Sequence, residues 1–158
     1  MGSSRQIVRA AGEGEQRWFY GGGRHTWKVR SEEAGGAFFV IEDELVRGKS
    51  TPLHTHPYAE LIYLVEGELL LHGDGLERRV TAGATIVTPR DVPHAFTVLS
   101  ERARMLFFQA PGEGETFYLT ASEPATEQDG PVDFRKIGEA AQRTGATAVL
   151  GPPPFKTP

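Results

Sequence analysis

Glycine and proline divide the chain into short pieces, and this limits its fold more than any other feature. The sequence has 19 glycines and 11 prolines among 158 residues. The apolar runs between them have the length of strands and are rich in β-branched and aromatic residues, which favour strands. They are WFY, HTWKV, AFFVIE, LIYLVE, ELLLH, ATIV, AFTVL and ARMLFF. Many short strands separated by turns predict an all-β sandwich or barrel over about residues 15–110.

The sequence changes character after Pro111, where helical patterns replace the strand-like runs. Residues 112–124, GEGETFYLTASEP, predict one or two helical turns that end before the last proline. The segment GPVDFRKIGEAAQRTG predicts a helix with Asp133 as its N-cap and Gly145 as its C-terminal stop. The apolar stripe of this helix is expected to comprise Phe134, Ile137 and Ala141.

The domain organisation follows from these two regions. Residues 1–110 are expected to form a barrel with N-terminal strands. Residues 111–158 are expected to form a short helical appendage and, in LGPPPFKTP, an extended tail, because so many prolines prevent a helix. A chain of this length forms one domain by the usual size range, so we expect both regions to belong to the same domain.

Composition and charge exclude several classes of function. The net charge is −4, and the 17 basic and 21 acidic residues are interspersed, so no basic face for nucleic acid is expected. No apolar run approaches membrane-spanning length, and the N-terminus lacks a secretory pattern. The chain has no cysteine, which excludes disulfides, thiolate metal sites and cysteine nucleophiles. We therefore expect a cytoplasmic protein that binds a small molecule, and neither nucleic acid nor membrane.

Three of the five histidines are candidates for one metal site. His54 and His56 lie two apart in HTHPYAE, a spacing that places both side chains on one face of a strand. Glu60 follows at the start of the next apolar run, and His94 lies in a second proline-marked segment, TPRDVPHAF. Three imidazoles and one carboxylate suit Mn, Fe, Co, Ni, Cu or Zn. Taken alone, the two histidines could equally be exposed residues of a loop without a metal. In that case Glu60 would lie at the solvent-exposed edge of a strand.

The other two histidines have no such pattern. His72 lies beside the expected hairpin turn HGDG, where a surface position is typical. His25 follows a run of three glycines and has no recognisable partner in the sequence. We assign neither histidine a role.

The spacing of the candidate ligands resembles the two sequence motifs of the cupin superfamily. The first motif is Gly, five residues, His-x-His, three or four residues, Glu, six residues, Gly, and residues 48–67 match it throughout. Its positions are filled by Gly48, His54, His56, Glu60 and Gly67. Residues 83–98 are similar to the second motif, with Asp91 in place of a glycine and Val98 in place of an asparagine. We expect Asp91 to tolerate the turn and Val98 to alter only packing.

The resemblance implies a fold and a metal. It implies the cupin double-stranded β-helix, which is a jelly-roll barrel, and one divalent transition metal per chain. The implied metal ligands are His54, His56, Glu60 and His94. It also implies a homodimer, since both faces of LIYLVEGELLL are apolar and a barrel interior can bury only one of them.

The fold alone does not decide the function, and three classes remain open. The arrangement resembles small quercetin-dioxygenase-like cupins, which implies an O₂-dependent dioxygenase acting on a small organic substrate. The alternatives are a redox-neutral isomerase, lyase or cyclase, and a non-catalytic binding protein. Glu60 is expected to act both as a ligand and as a general base. The aromatic residues expected to line a substrate pocket are Phe38, Tyr63, Phe96 and Phe108.

Overall fold

The computed structural model describes residues 5–125 and 130–156, and within them it contains twelve strands and two α-helices. The first six strands are β1 (Glu15–Phe19), β2 (Gly23–Val29), β3 (Phe39–Val46), β4 (Leu53–Thr55), β5 (Ala59–Glu66) and β6 (Glu68–Gly73). The others are β7 (Leu76–Thr81), β8 (Thr85–Thr88), β9 (His94–Val98), β10 (Arg102–Ala110), β11 (Ser122–Pro124) and β12 (Ala148–Gly151). The helices are α1 (Glu115–Thr120) and α2 (Phe134–Thr144), and short 3₁₀ turns cover Ser31–Ala34 and Gly112–Gly114. Within the described ranges, neither helix is long and apolar enough to cross a membrane.

The strands form two antiparallel sheets, as expected for a jelly roll. One sheet has seven strands in the order β11-β1-β2-β3-β10-β5-β8. The other has five, in the order β12-β4-β9-β6-β7. Neighbouring strands in each sheet are mostly distant in sequence, and the buried core between the sheets draws on residues from Trp27 to Ala146.

Strand alternation determines which side chains enter that interior. In β3, every second residue from Phe39 to Leu45 faces inward and is buried, and the residues that alternate with them are turned outward. In β5, Glu60, Ile62 and Leu64 share the inner face, as the sequence predicts. The interior is therefore apolar except where a polar residue occupies an inward position.

A tight turn joins β6 and β7, where the sequence predicts a hairpin. Asp74 and Gly75 both have positive φ, of 53° and 73°, as a two-residue hairpin turn requires. The hairpin pairs Gly73 with Leu76 across the turn and continues without interruption to Glu68 and Thr81.

The ends of α2 confirm two predictions from the sequence. The Asp133 carboxylate accepts a hydrogen bond from the backbone N–H of Lys136 and caps the helix. Gly145 ends the helix in the left-handed conformation. The buried stripe consists of Ile137, Ala140 and Ala141.

The position predicted for Phe134 is wrong. The side chain is 45% exposed, because the first turn of α2 lies at the surface. There Phe134 lines a groove with Trp18 and Tyr20.

The C-terminal region is more than the appendage predicted from the sequence, because it adds one strand to each sheet. Residues Ser122–Pro124, expected to end a helix, form β11 and pair with β1. β12 pairs with β4, which carries His54. Both strands are too short for an alternating pattern to be recognised in the sequence. They form because they pair with strands that are distant in the chain. The C-terminal residues therefore complete the sheets that enclose the candidate site.

The turn between β5 and β6 generates a prediction about stability. Gly67 has a φ of 96°, and a Cβ at this position would collide with the carbonyl oxygen of Arg102. We expect Gly67→Ala to lower the free energy of unfolding by about 2–3 kcal/mol, measured by urea denaturation. Gly138→Ala is the matched control, since it lies inside α2 with open space around it and should stabilise the protein by about 0.5–1 kcal/mol. Equal effects of the two substitutions would contradict this account of the turn.

Candidate metal centre

Three strands and one loop bring the four predicted ligands to one place. His54 on β4 and His94 on β9 lie directly opposite each other in the five-stranded sheet. His56 follows β4 in a loop, and its carbonyl oxygen accepts a hydrogen bond from the backbone N–H of Asp91 at 2.9 Å. Glu60 lies near the start of β5, in the facing sheet. Because Glu60 occupies an inward-facing position of β5, its side chain points towards the histidines.

The histidine rings form a compact cluster. Ligand atoms of His54, His56 and His94 all lie within 4.8 Å of one another. Glu60 Oε2 is 2.8 Å from His56 Nε2, and Glu60 Oε1 is 3.7 Å from His94 Nε2. Within residues 5–125 and 130–156, this is the one group of three or more such side chains that is close enough to hold a metal ion. We call these four residues the metal cluster.

Backbone hydrogen bonds fix the orientation of all three imidazoles. In each ring Nδ1 is paired with a carbonyl oxygen two residues away, so Nδ1 must carry the proton. The acceptors for His54, His56 and His94 are the carbonyl oxygens of Pro52, Tyr58 and Val92, at 2.8, 2.9 and 2.7 Å. Each Nε2 therefore presents a lone pair to the cluster, which is the arrangement that metal-binding histidines require.

The remaining polar atoms of the cluster fit a divalent cation. The Nε2 atom of His94 is buried and has no hydrogen-bond partner among the described residues. When His56 Nδ1 carries the proton, its Nε2 and a carboxylate oxygen of Glu60 are two acceptors 2.8 Å apart, which a proton on one of them or a metal ion bound to both would satisfy. Three neutral imidazoles and one carboxylate are a donor set typical of transition-metal sites.

The pKa values of His54 and Glu60 favour the forms that bind a metal ion at neutral pH. Burial, followed by repulsion from His94, lowers the pKa of His54 to about 4. Burial would raise the pKa of Glu60, but its interactions with His56 and His94 outweigh burial and hold this pKa well below its usual range. Burial would lower the pKa of His94, but the interaction with the Glu60 carboxylate is stronger and raises this pKa. Protons therefore compete with a metal ion mainly at His94.

A small cavity adjoins the metal cluster. Its volume is about 60 Å³, and its wall includes His54, Glu60, His94 and the ring of Phe96. A second cavity of about 180 Å³ shares Glu60, His94 and Phe96 and continues past His72 towards the surface. The cluster therefore lies between two spaces in which a ligand can bind.

The structure corrects three of the four expected pocket aromatics. Phe96 lies in the cavity wall, but Phe38, Tyr63 and Phe108 do not contribute to either cavity beside the cluster. Tyr63 is 42% exposed on the outer face of its sheet, and Phe38 stacks on Phe108 with ring centroids 5.1 Å apart. The reason is strand alternation, since Phe107 and not Phe108 has the inward parity of β10.

Several polar residues of the site were missed from the sequence. The side-chain amide of Gln109 is 3.4 Å from Glu60 Oε2 and 3.2 Å from the hydroxyl oxygen of Tyr118. His25 and Asp43 line the cavity as well. The sequence could have indicated His25 and Asp43, because each is a polar residue at a strand position where alternation predicts an inward-facing apolar side chain.

The chain is similar to known proteins in sequence. Residues 41–109 match the family model for the cupin domain. The matched range contains His54, His56, Glu60 and His94. The chain is 28% identical over 118 residues to quercetin 2,3-dioxygenase of Bacillus subtilis, an alignment that covers 74% of this chain. The chain spans 35% of the length of that relative.

Several solved structures share the fold of this chain. KdgF from Halomonas sp. has a TM-score of 0.61 and 17% identity, covering 68% of this chain and 94% of that one. A predicted oxalate decarboxylase from Thermotoga maritima has a TM-score of 0.59 and 21% identity, covering 67% and 99%. An RmlC-like cupin from Shewanella frigidimarina has a TM-score of 0.58 and 18% identity, covering 68% and 93%. At these identities the likeness shows the fold alone.

The geometry of the metal cluster predicts the effect of removing one ligand. His56→Ala or His94→Ala should lower the affinity for a divalent transition metal at least about 100-fold, because each removes one of the converging Nε2 donors. Elemental analysis after dialysis measures this loss. His72→Ala is the matched control, since His72 lies outside the cluster, and its metal content should equal that of the unmodified protein. Stoichiometric metal in either cluster variant would contradict the assignment.

Proposed function

We propose that this protein is a cupin and a metal-dependent dioxygenase that acts on a small organic substrate. One divalent transition metal per chain is held by His54, His56, Glu60 and His94. The observation that carries the proposal is the convergence of three Nε2 lone pairs and one carboxylate beside a largely apolar cavity. The similarity to quercetin 2,3-dioxygenase supports a reaction with O₂, because that relative aligns over most of this chain.

The residues around the cluster provide what such a reaction needs from the protein. When bound, the metal supplies Lewis acidity and the one-electron chemistry that O₂ requires. Phe96, Phe107 and Phe117 line the cavity and limit the access of water to the reacting atoms. Glu60 is ionised at neutral pH and can accept a proton from a substrate hydroxyl.

The cavity and Glu60 together restrict the class of substrate. The two cavities beside the cluster, of about 60 and 180 Å³, are each below the roughly 300–1,000 Å³ of pockets for drug-sized ligands, so a single-ring or short-chain molecule fits better than a three-ring flavonol. A carboxylate whose pKa is held low takes a proton only from an acidic hydroxyl, which favours enols and phenols over aliphatic alcohols. We therefore propose catechols and enolisable diketones as the substrate class.

The proposed reaction predicts oxygen uptake. With metal-loaded protein, an oxygen electrode should record O₂ consumption that depends on an added catechol or diketone and disappears in His94→Ala. Flavonols should give slower uptake, since they exceed the cavity volume. Conversion of substrate without O₂ consumption would instead identify a redox-neutral isomerase, lyase or cyclase. Binding without conversion would identify a non-catalytic cupin.

A substitution of Glu60 distinguishes a catalytic metal site from one that only binds metal. Glu60→Gln keeps the shape of the side chain but removes its charge and most of its basicity, so turnover should fall by about 10²–10⁴-fold. Metal content should decrease only modestly, because the three histidines remain. Glu66→Gln is the matched control, since Glu66 lies on the same strand with its side chain 62% exposed, and turnover should be unchanged. Near-normal turnover in metal-loaded Glu60→Gln would eliminate the base role.

We also propose that the protein forms a homodimer in the cytoplasm. The outer face of the seven-stranded sheet exposes Tyr63, Leu106 and Val87, a group of large apolar side chains that a second copy could cover. The absence of cysteine supports a cytoplasmic location. Sedimentation at micromolar concentration should give twice the chain mass of 17.3 kDa. A mass of one chain would reject the dimer.

A further inference from the structure

His25 and Asp43 form a buried polar pair that the metal cluster does not use. They lie opposite each other on β2 and β3, with His25 Nε2 3.5 Å from Asp43 Oδ2. The two residues are 2% and 5% exposed. Both occupy inward positions of strands whose other inward residues are mostly apolar.

The pair has hydrogen-bonding capacity that the protein leaves unused. His25 Nδ1 and Asp43 Oδ1 are buried, and neither has a hydrogen-bond partner within residues 5–125 and 130–156. The ring of Phe19 stacks on His25 with centroids 4.5 Å apart and an angle of 18°, which fixes the plane of the imidazole. An oriented imidazole with an unpaired nitrogen is a typical way to recognise a polar group of a ligand.

The pair lines the same cavity as the metal cluster, but at a different level of the barrel. On β10, Asp43 is paired with Met105, whereas Glu60 is paired with Gln109. Four residues of a strand span about 13 Å, before the side chains reach inward. The cavity therefore has one polar group towards each end, and the rings of Phe107, Phe117 and Tyr118 line the space between them.

A purely structural role does not account for this arrangement. If the pair served packing alone, apolar residues could replace it without loss of stability. Apolar residues fill most other positions on the inner face of this sheet. Burying two polar groups and leaving one atom of each unpaired is costly, and a polar group of a bound ligand would complete these hydrogen bonds.

We propose that His25, oriented by Asp43 and Phe19, is a specificity-determining contact for the substrate. His25 Nδ1 accepts a hydrogen bond from a hydroxyl group at the end of the substrate that lies away from the metal cluster. The substrate class is a single-ring phenol or enol with a second hydroxyl group on its far side. The inference rests on the proposed function only in that the metal cluster holds the other end of the ligand.

Two catechols of equal size test this contact. One carries a hydroxymethyl group para to a ring hydroxyl, and the other carries an ethyl group at the same carbon. Their affinities for the metal-loaded protein are measured by calorimetry without O₂, so that no turnover occurs. The unmodified protein should bind the hydroxymethyl compound at least about tenfold more tightly, because the ethyl compound leaves His25 unpaired.

Variants of His25 should remove this preference without affecting the metal. In His25→Phe the ratio of the two affinities should fall to about one or reverse, with unchanged metal content. The double variant His25→Phe, Asp43→Asn repeats the test without a buried carboxylate and covers the case in which the single variant fails to fold. His72→Phe is the matched control, because His72 also has a buried unpaired Nδ1 but lies in the other cavity, and the preference should persist.

The outcomes separate this inference from the proposed dioxygenase activity. A preference that depends on His25 supports the inference, even if no catechol or diketone causes O₂ uptake. The inference is overturned if the unmodified protein binds neither catechol, if it shows no preference, or if the preference survives in the His25 variants. Loss of the preference in His72→Phe would also overturn it. None of these results depends on whether O₂ is consumed.

Discussion

The candidate site depends on the hydrogen bonds that hold Nδ1 of each cluster histidine to a nearby carbonyl oxygen. Without them either nitrogen could face the centre, and the lone pairs would not converge. Proline accounts for their precision, because each acceptor carbonyl belongs to a proline or to its neighbour: Pro52 itself, Tyr58 after Pro57 and Val92 before Pro93. The fixed φ of Pro52 and the restricted conformation of Val92 before Pro93 limit the directions of two of these carbonyls. The prolines that flank the histidines are thus part of the site.

The departure from the second cupin motif shows which property of that motif matters. Asp91 occupies a glycine position and still adopts a φ of 63°. Aspartate tolerates this left-handed conformation better than most residues. The backbone N–H of Asp91 then bonds the carbonyl oxygen of His56, so the turn after β8 supports the loop after β4. The motif position therefore requires a backbone conformation, and glycine is one of the residues that can provide it.

The sequence was sufficient for features that depend on local spacing. Motif spacing identified the histidines and Glu60, alternation placed Glu60 on the inner face of β5, and cap residues located both ends of α2. Features that depend on register between distant strands were not accessible. Phe107 and Phe108 are adjacent and chemically identical, and only the register of β10 with β3 and β5 decides which of them enters the barrel. The pairing of His25 with Asp43 and the formation of β11 and β12 depend on strand pairing in the same way.

The pairing of β12 with β4 has a consequence for the order in which the site can be assembled. β4 carries His54 between two neighbours, β9 and β12, and β12 leaves the ribosome long after the three histidines have been synthesised. Until then one edge of β4 is unpaired, and His54 has no covering strand on that side. The second edge of the strand that carries His54 is therefore completed only after residues 148–151 have been synthesised and have paired with β4.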